Sequence, residues 1–184
     1  MRVTAGEAKG RRLKTVGMGT RPMTDRMKEA LFSSLGDVTG TSVLDLYAGS
    51  GALGLEALSR GADTATFVES ARDAILKLEE NVDVTGFGER AQVLWADVES
   101  TLAQGATIRL DLIFIDPPYS MSKTNVQQDL EELVTGGFLA DDGRIVVHRP
   151  ARESGLKPLG LEVVWERVIG QSQLVVYRHE ANEP

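Results

Sequence analysis

The 184-residue sequence contains no cysteine and only two histidines, His148 and His179. Without cysteine the chain has neither disulfide bonds nor thiolate metal ligands, and we expect no metal site. It also lacks the run of about 18 apolar residues that a transmembrane helix needs. Its first residues contain no apolar stretch of the kind found in a secretory signal. These absences predict a cytoplasmic protein that binds neither a membrane nor a metal.

The charge of the chain is unevenly distributed. The net charge is −7, but residues 1–40 hold eight basic and four acidic side chains, so this segment is +4 and the rest is −11. A basic arm on an acidic body fits local phosphate binding, although a solvated N-terminal hairpin explains the same pattern. The length suits one domain. We therefore divide the chain into a basic extension with a helix, residues 1–40, and a main domain, residues 41–184.

The apolar pattern predicts a doubly wound α/β sheet. Thr24 is a candidate N-cap for a helix that ends at Gly36. Short apolar strands are predicted at residues 43–46, 66–68, 93–95, 112–115 and 145–147, with helical patterns over 71–82 and 126–134. Fully apolar strands are typical of a parallel sheet that helices cover on both faces. The last two strands, about 161–168 and 173–177, have only a short turn between them, which predicts an antiparallel C-terminal hairpin.

A glycine-rich loop follows the first predicted strand. Gly49, Gly51 and Gly54 satisfy the G-x-G-x-x-G spacing, and Glu69 lies at the end of the next strand, where a ribose-binding acid belongs. Taken literally, this is the fingerprint of a dinucleotide-binding oxidoreductase. Glycines permit a close approach of the backbone to several different cofactors, so the loop alone leaves the cofactor open.

Two further acids favour a cationic ligand. Asp45 precedes the glycines and would oppose a pyrophosphate, but it suits S-adenosylmethionine, which carries a sulfonium and an ammonium. Asp97 follows the third strand and could accept a hydrogen bond from an adenine amine. Either aspartate alone could merely cap a turn. Together with Glu69 they predict three acids at the carboxyl edge of the sheet, where such folds bind ligands.

The sequence Asp116-Pro117-Pro118-Tyr119 follows the fourth strand and is the most specific motif. An exocyclic amine on a nucleobase is a poor nucleophile, because its lone pair is delocalised into the ring. The Asp116 carboxylate and the Pro117 carbonyl could accept its two N–H groups, and two prolines stiffen that carbonyl. Tyr119 could stack on the base. The alternative is a proline-rich turn in which Tyr119 only packs.

These motifs resemble those of a known enzyme family. Residues 45–51 (DLYAGSG) and 116–119 (DPPY) resemble the signature motifs of amino-methyltransferases with a Rossmann-like fold. The stretch 20–32 (TRPMTDRMKEALF), with Gly6, Gly10, Arg11 and Leu13, resembles the RsmD family, and the resemblance extends from about Arg2 to Tyr177. That family methylates N2 of one guanine in bacterial 16S ribosomal RNA and uses S-adenosylmethionine as its cofactor.

The resemblance implies roles for individual residues. It assigns the target base to Asp116, Pro117, Pro118 and Tyr119; the cofactor to Asp45, Ala48, Gly49, Ser50, Gly51, Glu69, Ser70, Asp97 and Val98; and the RNA substrate to Arg11, Arg12, Lys14, Arg21, Thr24 and Arg26. The implied partner is 16S ribosomal RNA, free or within a small-subunit particle, and we expect a monomer.

Some positions depart from the family pattern, and other functions stay open. His148-Arg149 stands where an acid usually follows the strand, and Ile169-Gly170 replaces an aromatic-glycine pair. We expect a core or capping role for His148, since no step of methyl transfer needs an imidazole. The alternatives are a DNA adenine or cytosine amino-methyltransferase, a protein glutamine methyltransferase, an NAD-dependent oxidoreductase and a non-catalytic RNA-binding module.

Overall fold

The computed structural model describes residues 1–17, 23–153 and 155–181. Seven strands form one sheet in the order β3-β2-β1-β4-β5-β7-β6. The strands are β1 (Ser42–Leu46), β2 (Thr64–Glu69), β3 (Ala91–Trp95), β4 (Leu110–Ile115), β5 (Leu139–Pro150), β6 (Leu161–Ile169) and β7 (Ser172–His179). The strands β1 to β5 pair in parallel, whereas β7 is antiparallel to both β5 and β6. The predicted fold class, with its C-terminal antiparallel hairpin, is confirmed.

Five α-helices accompany the sheet in the described residues: α1 (Asp25–Leu35), α2 (Ala52–Ser59), α3 (Arg72–Thr85), α4 (Val98–Ala103) and α5 (Lys123–Thr135). Apolar side chains of α1, α2 and α3 pack in one core cluster with Phe67 and Phe114 of the sheet. Those of α4 and α5 pack in a second cluster with Leu46 and Ile113. The sheet is therefore covered on both faces, as its fully apolar strands predicted. No helix in the described part of the chain is long and apolar enough to cross a membrane.

The element boundaries agree with the sequence where the periodicity is strong. Thr24 caps α1 by accepting the backbone N–H of Met27, and Gly36 ends the helix with φ 78°. Two helices, α2 and α4, have no predicted counterpart. All residues of α2 from Leu53 to Ser59 are buried, so this helix has no polar face to produce an amphipathic period, and α4 is only six residues long.

Strand β5 continues beyond the predicted strand 145–147. His148, Arg149 and Pro150 pair with Leu174, Gln173 and Ser172 of β7. His148 and Arg149 are consequently internal residues of a buried strand, with exposures of 1% and 3%. The antiparallel neighbour extends the strand, and this long-range pairing is not visible in the local pattern.

The N-terminal segment, residues 1–17, packs against α2. An antiparallel bridge joins Arg2 to Arg12. Glu56 of α2 accepts hydrogen bonds from the Thr4 N–H (2.9 Å), the Thr4 hydroxyl (2.6 Å) and the Ala5 N–H (3.1 Å). Glu56 also pairs with Lys28 of α1 at 3.1 Å. The segment is therefore anchored by a buried carboxylate of the main domain.

Candidate active site

A cavity of about 420 Å³ opens at the carboxyl ends of β1, β2 and β4. Its walls come from the glycine loop, the end of β2, the loop after β4 and the N-terminal segment. The lining residues are Met1, Thr15, Val16, Met23, Asp45, Tyr47, Ala48, Gly49, Ser50, Ala52, Leu53, Glu69, Ser70, Ala71, Ala74, Asp116, Pro117, Pro118, Tyr119 and Met121. Two of the three predicted edge acids, Asp45 and Glu69, and the whole predicted DPPY motif thus line one cavity, whereas the third acid, Asp97, does not line it.

The glycine loop between β1 and α2 requires glycine at two positions. Gly49 and Gly51 have φ values of 56° and 77°, a region that other residues rarely adopt. A Cβ atom on Gly51 would also lie 2.3 Å from Cδ1 of Leu78. Gly51 is the N-cap of α2. The loop therefore turns tightly, and Ala48, Gly49 and Ser50 line the cavity, whereas the buried Gly51 lines neither of the two cavities described in this section.

Glu69 joins the glycine loop to the end of β2. Its Oε2 accepts the Gly49 N–H at 2.8 Å, and its Oε1 accepts the Ala71 N–H at 2.8 Å. A carboxylate oxygen has two lone pairs, so each oxygen can still accept one further hydrogen bond from a ligand. The carboxylate is thereby fixed in place before any ligand binds.

Asp45 lies beneath the loop and is only 2% exposed. Its Oδ2 accepts the Gly54 N–H at 2.9 Å. Burial raises the pKa of Asp45 well above its ordinary value, although the hydrogen bond from Gly54 lowers it. The nearby charges of Asp116 and Glu69 raise this pKa further. A cation bound in the cavity would relieve this repulsion, whereas a pyrophosphate would increase it.

A second cavity, of about 360 Å³, adjoins the first and shares Tyr47, Glu69, Ser70 and Met121 with it. Asp97 and Val98 line only this second cavity. Asp97 caps α4, since its Oδ1 accepts the Ser100 N–H at 2.7 Å, and the hydrogen bonds from Ser100 lower the pKa of Asp97. The capping role and a ligand role are compatible, because a carboxylate has a second oxygen.

Side chains of β5 and β7 form hydrogen bonds with the DPPY loop. Oδ1 of Asp116 lies 2.8 Å from Nδ1 of His148, and the Tyr119 hydroxyl lies 3.0 Å from the Ser172 hydroxyl. The buried Arg149 guanidinium donates to the carbonyl of Pro118 at 3.1 Å and to that of Met121 at 2.6 Å. The loop therefore has a fixed path, and the Asp116 side chain remains 31% exposed beside the cavity.

The predicted RNA-binding residues that the structure describes lie outside both cavities. Arg11, Arg12, Lys14 and Arg26 are exposed, Thr24 caps α1, and Arg21 lies outside the described residues. Lys14 forms an ion pair with Glu80. The basic N-terminal segment is nevertheless connected to the first cavity, because Thr15 and Val16 line it. The Asn81 side chain fixes this connection: its oxygen accepts the Lys14 N–H, and its nitrogen donates to the carbonyls of Lys14 and Ser50, each at 2.9 Å.

Several contributors to the site have no clear sequence signal. Tyr47, with φ 58°, donates its hydroxyl to Asp129 at 2.6 Å and lines both cavities. The N-terminal wall formed by Met1, Thr15 and Val16 has no motif at all. Within the described ranges, no three histidine, aspartate or glutamate side chains are grouped as a metal site requires.

Comparisons with known proteins show which family this chain is similar to. A family model described as "Conserved hypothetical protein 95" matches residues 1–178. The chain is 37% identical over 185 residues to "Ribosomal RNA small subunit methyltransferase D" of Escherichia coli, covering 98% of this chain and 91% of the relative. It is 41% identical over 154 residues to "Putative rRNA methyltransferase YlbH" of Bacillus subtilis, covering 79% and 80% of the two chains.

The fold is also similar to that of a solved structure. "Putative methyltransferase yhhF from Escherichia coli" superposes with a TM-score of 0.87 and 32% identity, over 99% of each chain. The family model matches residues 1–178, which include the glycine loop and the DPPY motif, and the Escherichia coli relative covers 98% of the chain. The chain therefore belongs to the Conserved hypothetical protein 95 family, the RsmD family that its motifs resemble.

Proposed function

We propose that this protein transfers a methyl group from S-adenosylmethionine to the exocyclic N2 amine of a guanine in 16S ribosomal RNA. The observation that carries the proposal is the single cavity in which Asp45, Glu69 and Asp116 meet beside Pro117 and Tyr119. Three acids suit a cationic cofactor, and the DPPY loop suits an amine. The name of the Escherichia coli relative supports ribosomal RNA as the substrate class.

The residues of the two adjoining cavities fit S-adenosylmethionine. Asp45, Ala48, Gly49 and Ser50, which line the first cavity, would hold the charged methionine half, with Gly51 shaping the loop, and Glu69 would accept the ribose hydroxyls. Asp97, Val98 and Ser70 line the second cavity, which would take the adenine. When bound, this cofactor supplies an electrophilic methyl group on a sulfonium. The negative charge of the first cavity disfavours the phosphates of NAD.

The protein's part in the reaction is to prepare the amine. The Asp116 carboxylate accepts one N–H of the guanine amine, and the Pro117 carbonyl accepts the other. These acceptors draw the nitrogen toward tetrahedral geometry and localise its lone pair. Tyr119 stacks on the base, which fixes the approach of the amine. Asp116 also stabilises the positive charge that grows on the nitrogen, as a preorganised electrostatic group.

The role proposed for Glu69 predicts the behaviour of a Glu69→Gln variant. Glutamine keeps an acceptor for the loop but lacks the charge, so we expect S-adenosylmethionine to bind about tenfold to a hundredfold more weakly, the range for a hydrogen bond to a charged group. Calorimetry measures this affinity. RNA affinity serves as the control and should change little, whereas the melting temperature should fall, because the glutamine amide can accept only one of the two backbone N–H groups that Glu69 accepts. Wild-type cofactor affinity would contradict the ribose assignment.

We propose that residues 1–40 face the RNA and that Arg11, Arg12 and Lys14 contact its phosphates, with Arg21, Thr24 and Arg26 as further substrate-binding residues. Arg11 and Arg12 are exposed and, within the described part of the chain, form no ion pair. Replacing Arg11, Arg12 and Lys14 together with Ala should weaken RNA binding and reduce its salt dependence by about one slope unit per lost contact.

The matched control for this triple variant removes three other exposed cations, Arg109, Lys157 and Arg178. Arg109 and Arg178 lie at the edge of the sheet opposite the cavity. The control should keep the wild-type affinity and salt slope in titrations at several salt concentrations. An equal effect of both triple variants would show that net charge, and not the arm, determines RNA binding.

The class of acceptor is tested by transfer from radiolabelled S-adenosylmethionine to four substrates: small-subunit particles from a strain lacking this protein, protein-free 16S RNA, DNA and bulk protein. We expect label only in the ribosomal substrates, and N2-methylguanosine after digestion. The preferred ribosomal substrate identifies the stage of assembly. Label in DNA adenine, or in protein, would replace the proposal with one of the other amino-methyltransferase functions.

A further inference from the structure

His148 lies directly behind Asp116. Strand β5 pairs Val147 with Ile115 of β4, so the next residues along the two strands are neighbours. The His148 side chain is 1% exposed, and its Nδ1 lies 2.8 Å from Oδ1 of Asp116. Its ring also meets that of Tyr119 edge-on, with 6.0 Å between the ring centroids. One buried imidazole thus contacts both side chains to which we assign the target base.

We propose that His148 is a positioning residue for methyl transfer. Its Nδ1–H donates a hydrogen bond to Oδ1 of Asp116 and fixes the carboxylate so that the other oxygen, Oδ2, receives the N–H of the guanine amine. This inference rests on the proposed function, in which Asp116 accepts that hydrogen bond. It gives His148 a role beyond the core or capping role expected from the sequence.

The surroundings of the ring select one tautomer. Nε2 is buried and has no hydrogen-bond partner among the described residues. A proton on Nε2, in either the imidazolium or the other neutral tautomer, would bury a donor without an acceptor. The other neutral tautomer would also place two acceptors 2.8 Å apart. The neutral tautomer with its proton on Nδ1 can donate to Oδ1 of Asp116. It leaves only the lone pair of Nε2 without a hydrogen bond.

The same burial limits what His148 can do. A proton relay needs a route from the second ring nitrogen to water or to another acceptor, and the described surroundings of Nε2 offer none. His148 therefore orients the Asp116 carboxylate, while no proton passes through the ring. Arg149 already anchors the loop backbone at Pro118 and Met121. The Asp116 side chain could still rotate on this anchored backbone, and the hydrogen bond from His148 restricts that rotation.

Two substitutions distinguish the effect of the His148 hydrogen-bond donor from the effect of the space that its side chain fills. In a His148→Asn variant the side-chain amide can present an N–H near the position of Nδ1, whereas His148→Leu fills the space without a donor. We expect His148→Leu to lower kcat about tenfold to a hundredfold, as for a lost hydrogen bond to a charged group, with an unchanged KM for S-adenosylmethionine. His148→Asn should recover most of kcat. His179→Gln is the control, because its ring contacts the Leu139 carbonyl and lies outside the site.

Nitrogen NMR supplies a readout that packing alone does not affect. The chain has only two histidines, so the His179→Gln variant assigns the ring signals of His148. We expect a protonated Nδ1 and an unprotonated Nε2 in the wild-type protein at neutral pH. This measurement does not depend on activity, and it decides the tautomer even where the leucine variant fails to fold.

Three results would overturn the role of His148: a protonated Nε2, a His148→Leu enzyme with the wild-type kcat, or a folded His148→Asn enzyme as slow as His148→Leu. Failure of the proposed function looks different. In that case the wild-type enzyme itself methylates no guanine amine in the ribosomal substrates, and the assignment to His148 falls with it. An active wild-type enzyme with unimpaired His148→Leu removes only the role of His148.

Discussion

An Asp116→Ala variant should lose methyl transfer by about a thousandfold or more while binding S-adenosylmethionine almost normally. Asp116 is the one charged acceptor in the DPPY loop, and removal of a single preorganised group that stabilises charge in a transition state costs on the order of 10²–10³ in rate. Loss of the base-orienting contact adds to this cost. Single-turnover transfer to small-subunit particles measures the rate, and calorimetry measures cofactor affinity.

Asp111→Ala is the matched control for this experiment. Asp111 lies at the other end of β4, where its carboxylate accepts two hydrogen bonds from Ser42 at 2.8 Å. The control variant therefore also loses a carboxylate from the same strand, but far from the cavity, and should keep wild-type turnover. An Asp116→Ala enzyme that fails to bind the cofactor would move Asp116 from the amine to the cofactor. Full turnover would remove it from the mechanism.

A Glu56→Gln variant should lose about 3–5 kcal/mol of unfolding free energy, the usual cost of breaking a buried ion pair. Lys28 and Glu56 have side chains that are 0% exposed. Lys28 also donates to the Arg2 carbonyl, and Arg60 donates to Glu56 at 2.9 Å. Glutamine keeps the volume but leaves the Lys28 ammonium buried without a counter-charge. Denaturant unfolding followed by circular dichroism measures the loss.

The double variant Lys28→Met, Glu56→Gln tests the explanation. It removes the uncompensated charge, so it should be more stable than Glu56→Gln alone. Because Glu56 holds Thr4 and Ala5, the single variant should also expose residues 1–17 to proteolysis before the main domain unfolds. A Glu56→Gln protein within about 1 kcal/mol of the wild type would show that the pair does not anchor the segment.

The pH dependence of stability follows from the same carboxylate. Burial alone would raise the pKa of Glu56, but the hydrogen bonds from Thr4 and the charge of Lys28 outweigh burial and lower it below the ordinary 4.5. A lowered pKa contributes stability that is present above the ordinary value and is lost as the pH falls through the lowered one. The stability difference between wild type and Glu56→Gln should therefore shrink below about pH 4.5.

Much of the fold could be predicted from the sequence, because its strands are short apolar runs that end at polar turn residues. Leu112 to Ile115, ending at Asp116, is such a run. Helix α2 was not predicted, because both its faces are buried and its sequence lacks an amphipathic period. In the sequence, Glu56 and Ser59 merely interrupt the apolar pattern, and nothing local shows that they anchor the N-terminal segment. The extension of β5 through His148 depends on β7, which is more than twenty residues away.

The residues of the candidate site also include some that the sequence predicts and some that it does not. Glu69 and Asp116 were predictable as site residues, because parallel strands bring their carboxyl ends to one edge. The side chains that support them were not. Tyr47 pairs with Asp129 across more than eighty residues, and His148 reaches Asp116 from a neighbouring strand. Such contacts depend on the register between strands, which the local pattern does not specify.

The proposed acceptor, the guanine N2 amine, is tested by comparing two RNAs that differ only in the presence of this amine. Once the methylated position is mapped, 16S RNA is prepared with either guanine or inosine there and assembled into small-subunit particles. Inosine keeps the ring and the carbonyl but lacks the amine that Asp116 and Pro117 are proposed to hold. We expect one labelled methyl group per guanine particle and none at that position in the inosine particle. Equal transfer to both particles would contradict this proposal.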